Sequence, residues 1–207
     1  MAESTESTES TDSTDRTDRA DGADTTHGSP VVRAASGATR ERVVLLDPQH
    51  QPIGSMPKDQ VHGAETPLHL AFSVYVFDAD GRFLVTRRAL AKRTWGGVWT
   101  NSCCGHPQPG EDVGQAARRR LGQELGLHVA ALHLALPDFS YRAVSAEGVV
   151  ENEVCPVYTA EAAGDPVADP AEVADWRWVA WPDFRAAVEL TPWAFSPWAV
   201  QQTALLP

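Results

Sequence analysis

Residues 100–127 read T-N-S-C-C-G-H-P-Q-P-G-E-D-V-G-Q-A-A-R-R-R-L-G-Q-E-L-G-L, a strand pattern followed by a turn and a helix pattern. In the second half, apolar residues recur close to the helical period of 3.6: Val113, Ala116, Ala117, Leu121 and Leu125. This spacing predicts a helix over Glu111–Leu125, with Gly126 as its C-terminal cap. Because Gly97–Cys104 is predicted to be a strand, the loop that carries Cys104 and His106 lies at a strand-to-helix junction.

The rest of the chain mixes strand and helix patterns without a regular βαβ alternation. Asp78–Gly81 is a turn signal, which predicts a hairpin between the strands on either side. The mixture predicts an α/β (α+β mixed) fold, in which a mixed sheet is sandwiched between helices, rather than a doubly wound parallel sheet. The predicted strands are Arg42–Asp47, Pro67–Phe77, Arg82–Arg88, Asp138–Ala143, Gly148–Thr159 and Trp176–Trp181, and the further helices are Pro182–Leu190 and Ser196–Leu205.

Composition divides the chain near residue 40. Residues 1–40 are rich in Ser, Thr and acidic residues and contain no aromatic residue, Leu or Ile. Such a segment buries too little apolar surface to offset the entropy of ordering it. We therefore predict a disordered acidic tail over 1–40 and a single domain over 41–207.

Charge and cysteine content exclude several classes of partner. A formal net charge of -11 argues against nucleic acid or an anionic membrane surface. The sequence shows no secretory leader and no window apolar enough to span a bilayer. Its three cysteines are an odd number, as expected of free thiols in a reducing cytosol. We expect a cytoplasmic monomer.

Two carboxylates lie close together in the strand pattern V-E-N-E-V-C-P at 150–156. Glu151 and Glu153 fall on one face, because side chains alternate along a strand. That face is either exposed to solvent, where the pair has no special role, or buried. Two buried carboxylates are costly unless a cation or a proton lies between them, so flanking valines favour a functional pair.

Three histidines could join these carboxylates. His69 lies inside an apolar strand pattern, His106 follows the thiol of Cys104, and His62 precedes the strand. Three imidazoles and two carboxylates would make a nitrogen and oxygen site for a divalent first-row metal ion. Spacing alone leaves open whether these scattered residues meet.

Cys104 ends a strand beside a candidate metal ligand. A buried cysteine is usually a small apolar residue, and we interpret Cys103, on the opposite strand face, and Cys155 in that way. For Cys104 we expect nearby positive charge to lower the thiol pKa and prepare it for proton transfer.

The stretch from Gly105 to Leu127 resembles the Nudix loop and helix, G-x5-E-x7-R-E-U-x-E-E-x-G-U. It departs at Arg120 and Gln123, where Nudix hydrolases carry glutamates, and it keeps Glu124. The resemblance implies a site that binds a diphosphate through Mg²⁺ without hydrolysing it.

Across residues 41–205 the chain is similar to the type I isopentenyl-diphosphate delta-isomerases, a family with the Nudix fold. The resemblance rests on V-H-G-A-E-T-P-L-H-L-A-F-S, L-V-T-R-R-A-L-A-K-R, W-T-N-S-C-C-G-H-P, Y-R-A, V-E-N-E-V-C-P and T-P-W-A-F-S-P-W. It implies reversible conversion of isopentenyl diphosphate to dimethylallyl diphosphate, by a 1,3-allylic proton shift through a tertiary carbocation. The alternatives are a Nudix diphosphohydrolase and a non-catalytic, metal-stabilised binding module.

The resemblance also implies roles for individual residues. Cys104 and Glu153 would be opposing proton-transfer groups, with Tyr141 beside Glu153 and Trp193 facing the carbocation. Which group delivers the first proton stays open. Glu124 would bind a Mg²⁺ ion that also meets the diphosphate. The diphosphate would contact Lys58, Arg88 and Lys92, and one further ion, Mn²⁺, Mg²⁺ or Zn²⁺, would be held by His62, His69, His106, Glu151 and Glu153.

Overall fold

The computed structural model describes residues 41–207, so the predicted acidic tail over 1–40 lies outside the described residues. Twelve strands and four α-helices alternate irregularly along the described chain. The helices are α1 (Lys58–Val61), α2 (Val113–Leu125), α3 (Trp181–Leu190) and α4 (Pro197–Leu205), and a short 3-10 helix spans Pro192–Ala194. The strands are β1 (Arg42–Leu46), β2 (Pro52–Pro57), β3 (His69–Leu70), β4 (Phe72–Phe77), β5 (Arg82–Arg88), β6 (Trp99–Thr100), β7 (Cys103–Gly105), β8 (Leu132–Leu136), β9 (Ser140–Val144), β10 (Val150–Val154), β11 (Val157–Glu161) and β12 (Val173–Ala180).

These strands form two mixed sheets. The predicted mixed α/β class is confirmed, but the sequence predicted one sheet and the structure has two. The five-stranded sheet has the order β2-β1-β3-β10-β9. The seven-stranded sheet has the order β12-β5-β4-β11-β8, with β6 paired to β5 and β7 paired to β4. Strands β2 and β8 and helix α1 were not predicted from the sequence.

Two of the predicted strands are each interrupted. At each interruption the chain passes from the five-stranded sheet to the seven-stranded sheet. The predicted strand Pro67–Phe77 is interrupted at Ala71, and Gly148–Thr159 is interrupted between Val154 and Val157. Proline at position 156 has no backbone N–H for a sheet ladder, and the Ala71 amide donates to the Val154 carbonyl at 2.9 Å. Beyond the break, β4 and β11 run parallel in the seven-stranded sheet. Before it, β3 and β10 run parallel in the five-stranded sheet, with Glu153 in register with His69.

The predicted hairpin between β4 and β5 is confined to its turn. The two strands pair only at Phe77 and Phe83, because β6 and β7 enter between them. The Ser102 hydroxyl accepts from the Val76 amide at 2.8 Å and donates to the Leu84 carbonyl at 2.6 Å. The predicted strand Gly97–Cys104 is therefore two short strands, with Ser102 bridging the opening.

Helix α2 confirms the clearest sequence prediction. It begins at Val113 rather than Glu111, because the Asp112 side chain caps it by accepting from the Gln115 amide. It ends at Gly126, whose φ of 63° is left-handed. Its buried face packs on the seven-stranded sheet through Ala116, Ala117, Leu121 and Leu125. No helix within residues 41–207 has the length and apolar character needed to cross a bilayer.

Candidate active site

A cavity of about 650 Å³ is lined by residues of both sheets. Its lining includes most of the residues that the sequence singled out: Lys58, His62, Arg88, Lys92, Cys104, His106, Glu124, Tyr141, Glu151 and Glu153. The cavity therefore joins candidate acids, bases, cations and metal ligands in one space.

Four candidate ligands form a tight cluster at one side of this cavity. The nearest donor atoms of His62, His69, His106 and Glu153 all lie within 4.8 Å of one another. The imidazole centroids are 5.1 to 5.6 Å apart. His69 is fully buried, and its Nδ1 lies 2.9 Å from the Pro67 carbonyl. Its Nε2 is thereby turned toward the cluster.

Several polar atoms of the cluster are buried without a hydrogen bond. They include Nε2 of His62, Nε2 of His69 and Oε2 of Glu151. His62 Nε2 and Glu151 Oε2 lie only 2.8 Å apart, yet not in hydrogen-bond geometry. Unpaired buried donors and acceptors are costly, and those of His62 and His69 belong to the cluster of four. The residues present therefore fit a divalent ion with imidazole and carboxylate ligands, with Glu151 next to His62 but outside the closest group of four.

Glu153 is held by three side chains. Its Oε1 lies 3.0 Å from His106 Nε2 and 3.4 Å from His69 Nε2, and its Oε2 accepts from the Tyr141 hydroxyl at 2.9 Å. Burial raises the pKa of this carboxyl, but the neighbouring imidazoles of His106 and His69 outweigh burial and hold the pKa well below its ordinary value. Burial raises the pKa of Tyr141 well above its ordinary value, with Glu153 adding to the effect.

Cys104 lies in a different environment, on β7 of the seven-stranded sheet. Its thiol donates to Oδ1 of Asn101 at 3.1 Å and lies 3.4 Å from the Ser73 hydroxyl. Burial raises its pKa to about 11, although the hydrogen bonds with Ser73 and Asn101 and the charge of Arg88 act in the other direction. The expected lowering of the thiol pKa is therefore wrong, because burial raises the pKa by more than the charge of Arg88 lowers it. Cys103 packs on the opposite side, in the cluster beneath α2.

The position predicted for Trp193 is also corrected by the structure. Trp193 is 81% exposed on the short 3-10 helix, outside the cavity lining. Trp198 lines the cavity instead, with its Nε1 donating to Asn101 Oδ1 at 3.0 Å. Both residues belong to T-P-W-A-F-S-P-W, and the start of α4 at Pro197 turns the second indole inward. Asn101 thus holds both the thiol and the indole, a role that the sequence did not reveal.

The predicted diphosphate-binding cations also line the cavity, and each has a partner. Lys58 pairs with Glu41 at 2.6 Å, and Lys92 pairs with Glu172. The Arg88 guanidinium donates to the Thr94 carbonyl and lies 5.2 Å from the Trp198 ring centroid.

Arg120 is a further buried cation of the lining. Its guanidinium holds the carboxylate of Glu124 one turn along α2, and burial is outweighed by acidic neighbours, chiefly Glu124, that raise its pKa. In the sequence, Arg120 is notable only as a departure from the Nudix helix motif, which has a glutamate at this position. Here it is a positive charge facing the site.

Comparisons with known proteins agree with this architecture. A family model described as NUDIX domain matches residues 67–199. A crystal structure of DR0079 from Deinococcus radiodurans is similar in fold, with a TM-score of 0.56 and 19% identity, over 72% of this chain and 90% of that chain.

Curated relatives are much more similar in sequence. An isopentenyl-diphosphate Delta-isomerase of Frankia alni is 65% identical over 78% of this chain and 84% of its own length. One of Mycolicibacterium vanbaalenii is 58% identical over 81% of this chain and 92% of its own length. The chain therefore has a Nudix domain and belongs to the isopentenyl-diphosphate delta-isomerase family.

Proposed function

We propose that this protein catalyses the reversible conversion of isopentenyl diphosphate to dimethylallyl diphosphate, a step of isoprenoid biosynthesis. The observation that carries the proposal is the placement of Cys104 and the Glu153–Tyr141 pair in one cavity, each on a different sheet. A 1,3 proton shift needs two proton-transfer groups that act on separate carbons of one small alkene, and this arrangement supplies both.

The protonation states of the two groups suit that shift. With a raised pKa Cys104 keeps its proton at neutral pH, and with a lowered pKa Glu153 is ionised. One group protonates the alkene and the other removes a proton from the carbon on the far side of the cation. Because the reaction is reversible, each group acts as an acid in one direction and as a base in the other.

Trp198 is proposed to stabilise the tertiary carbocation. An aromatic face attracts a cation without forming a bond to it, and a desolvated contact of this kind is worth about 2 kcal/mol. Its indole is 3% exposed and is fixed by Asn101. Exclusion of water matters equally, since water would quench the cation.

The cationic side of the cavity is proposed to bind the diphosphate. Lys58, Arg88 and Lys92 carry this role, and Arg120 adds a fourth positive charge. Lys58 and Lys92 would exchange their carboxylate partners, Glu41 and Glu172, for phosphate oxygens when substrate enters. Arginine and lysine are well suited to such charge-assisted hydrogen bonds.

The cluster of His62, His69, His106, Glu151 and Glu153 is proposed to hold one divalent ion, Mn²⁺, Mg²⁺ or Zn²⁺. Glu124 is proposed to hold a Mg²⁺ ion shared with the diphosphate. When bound, these ions supply positive charge that fixes the carboxylates and neutralises the substrate phosphates. The protein side chains then orient Glu153 toward the alkene.

Loss of the ions is expected to abolish turnover. Exhaustive treatment with a chelator followed by gel filtration should remove activity, and added Mn²⁺ or Mg²⁺ should restore it. Full activity after metal analysis shows less than one-tenth equivalent of ion would contradict the metal assignment.

A Nudix diphosphohydrolase is the nearest alternative activity. The position of Arg120 speaks against it, since a guanidinium lies where such an enzyme has a metal-binding glutamate. Incubation with isopentenyl diphosphate in deuterated water separates the two. Isomerisation should place deuterium in the methyl groups of the dimethylallyl product. Phosphate release without label would overturn the proposal. If neither labelled product nor phosphate formed, the result would favour the non-catalytic binding module.

The proposal extends to a cytoplasmic location, which the three free cysteines of the described residues support: Cys103, Cys104 and Cys155. It also includes a monomeric state. Sedimentation and cell fractionation would test the two parts of this extension.

A further inference from the structure

Thr94 lies between the two halves of the candidate active site. Its hydroxyl donates to Glu151 Oε1 at 2.8 Å, and its carbonyl accepts from the Arg88 guanidinium at 3.1 Å. Thr94 is 6% exposed, and its contact with Glu151 is buried, whereas its contact with Arg88 is partly buried. One residue thus contacts a candidate metal ligand through its side chain and a candidate diphosphate ligand through its backbone.

The two oxygens of Glu151 are in different states. Oε1 is satisfied by Thr94, whereas Oε2 is buried without a hydrogen bond and faces His62 Nε2 at 2.8 Å. A carboxylate held at one oxygen cannot rotate freely, so its other oxygen stays beside His62 Nε2. Residues that hold ligands in this way commonly change metal affinity by about 10- to 100-fold when they are lost.

The loop around Thr94 is closed by its own backbone. The Arg88 amide donates to the Val98 carbonyl at 2.9 Å, and the Gly97 amide donates to the Arg88 carbonyl at 3.1 Å. A Cβ at Gly96 would lie 2.7 Å from the Leu90 carbonyl oxygen, so the tight path requires glycine there. This closure constrains the backbone path that carries Thr94, and the bond to Glu151 Oε1 orients its hydroxyl.

We propose that Thr94 is a positioning residue that orients Glu151 for the divalent ion. The inference rests on the proposed function for the identity of the site, but it concerns ion binding and not turnover. It predicts that removal of one hydroxyl, with the shape of the side chain kept, weakens the ion site.

The test is Mn²⁺ binding to the full chain, measured from the free-ion signal in electron paramagnetic resonance. Thr94→Val should weaken binding by about 10- to 100-fold, and Thr94→Ser, which keeps the hydroxyl, should remain within about threefold of the parent protein. Thr94→Ala gives a second hydroxyl-free variant if the valine variant does not fold. Thr203→Val removes another buried threonine hydroxyl, on α4, and should leave Mn²⁺ affinity unchanged.

Affinity of both hydroxyl-free variants within twofold of the parent would overturn the inference, as would an equal loss in Thr94→Ser. Isomerase activity is measured separately on the same samples. If Thr94→Val weakens Mn²⁺ binding in a protein that does not isomerise, the positioning role stands and the proposed function fails. If the protein isomerises and Mn²⁺ affinity does not depend on the hydroxyl, the proposed function stands and the positioning role fails.

Discussion

Cys104 and Glu153, the two proposed proton-transfer groups, lie on opposite sheets around the cavity and have environments of opposite character. On the seven-stranded sheet, Cys104 lies among neutral partners, Asn101 and Ser73, and burial raises its pKa to about 11. On the five-stranded sheet, Glu153 lies among His69, His106 and Tyr141, and its pKa is held well below the ordinary value despite burial. Glu153 is buried and Cys104 is half-buried, and the pKa values of the two groups shift in opposite directions because their neighbours differ.

This contrast explains how one small cavity can hold one transferable proton. If both walls were alike, both groups would be ionised or both protonated at neutral pH, and a shift of one proton across the substrate would lack either a donor or an acceptor. The following experiments alter each wall in turn.

The largest effect is expected from Glu153→Gln. Glutamine keeps the shape of the side chain but cannot exchange a proton as a carboxylate does, and it also weakens the ion cluster. We expect turnover to fall by about 10⁴-fold or more, with the thermal unfolding of the chelated protein close to that of the parent. Retention of one-tenth of the parent kcat would show that Glu153 transfers no proton.

Cys104→Ala removes the thiol, the other proposed proton-transfer group. We expect turnover to fall by about 10²- to 10⁴-fold, with Mn²⁺ affinity retained because the thiol is not a ligand of the proposed ion. Cys103→Ala is the matched control, since Cys103 packs beneath α2. Equal losses in the two variants would indicate a packing effect and not proton transfer.

The raised pKa of Cys104 can be measured in chelated protein by alkylation with iodoacetamide. Only the thiolate reacts, so a pKa near 11 predicts a rate that rises about tenfold per pH unit between pH 7 and 10. At pH 7.5 the rate should be about 100-fold or more below that of an ordinary cysteine, whose pKa is about 8.5. Peptide mapping identifies the labelled residue. A rate that levels off near pH 8.5 would mean that burial does not govern this thiol.

The smallest effect is expected at the aromatic residue. Trp198→Leu should reduce kcat by about 30-fold, which corresponds to about 2 kcal/mol of lost cation stabilisation. Trp193→Leu removes an indole that is 81% exposed and should change kcat less than twofold. A larger loss of kcat in the Trp193 variant would contradict the assignment of cation stabilisation to Trp198.

Local patterns in the sequence predicted many of the helices and strands. The apolar spacing and Gly126 predicted helix α2 to within two residues of its start, because caps and periodicity act over a few neighbouring positions. They could not predict the interruptions at Ala71 and Pro156. Each segment has the pattern of one continuous strand, and the transfer between sheets depends on the partner segment lying beside it.

The candidate site shows the same division. The side-chain period placed Glu151 and Glu153 on one face, and family resemblance named the histidines that meet them. Neither could reveal that Thr94 contacts Glu151 or that Asn101 joins Cys104 to Trp198. Such partners are small polar residues in loops, and nothing in their local pattern sets them apart from surface residues.

The sequence by itself determined which chemical groups this protein has and the local elements that carry most of them. Tertiary structure alone decided which of two tryptophans faces the cavity and whether the thiol is charged or neutral. The physical reason is that pKa and orientation depend on burial and on neighbours brought from distant positions. Residues 104 and 153 are 49 positions apart in the chain, and only the crossing of two sheets makes them face the same space.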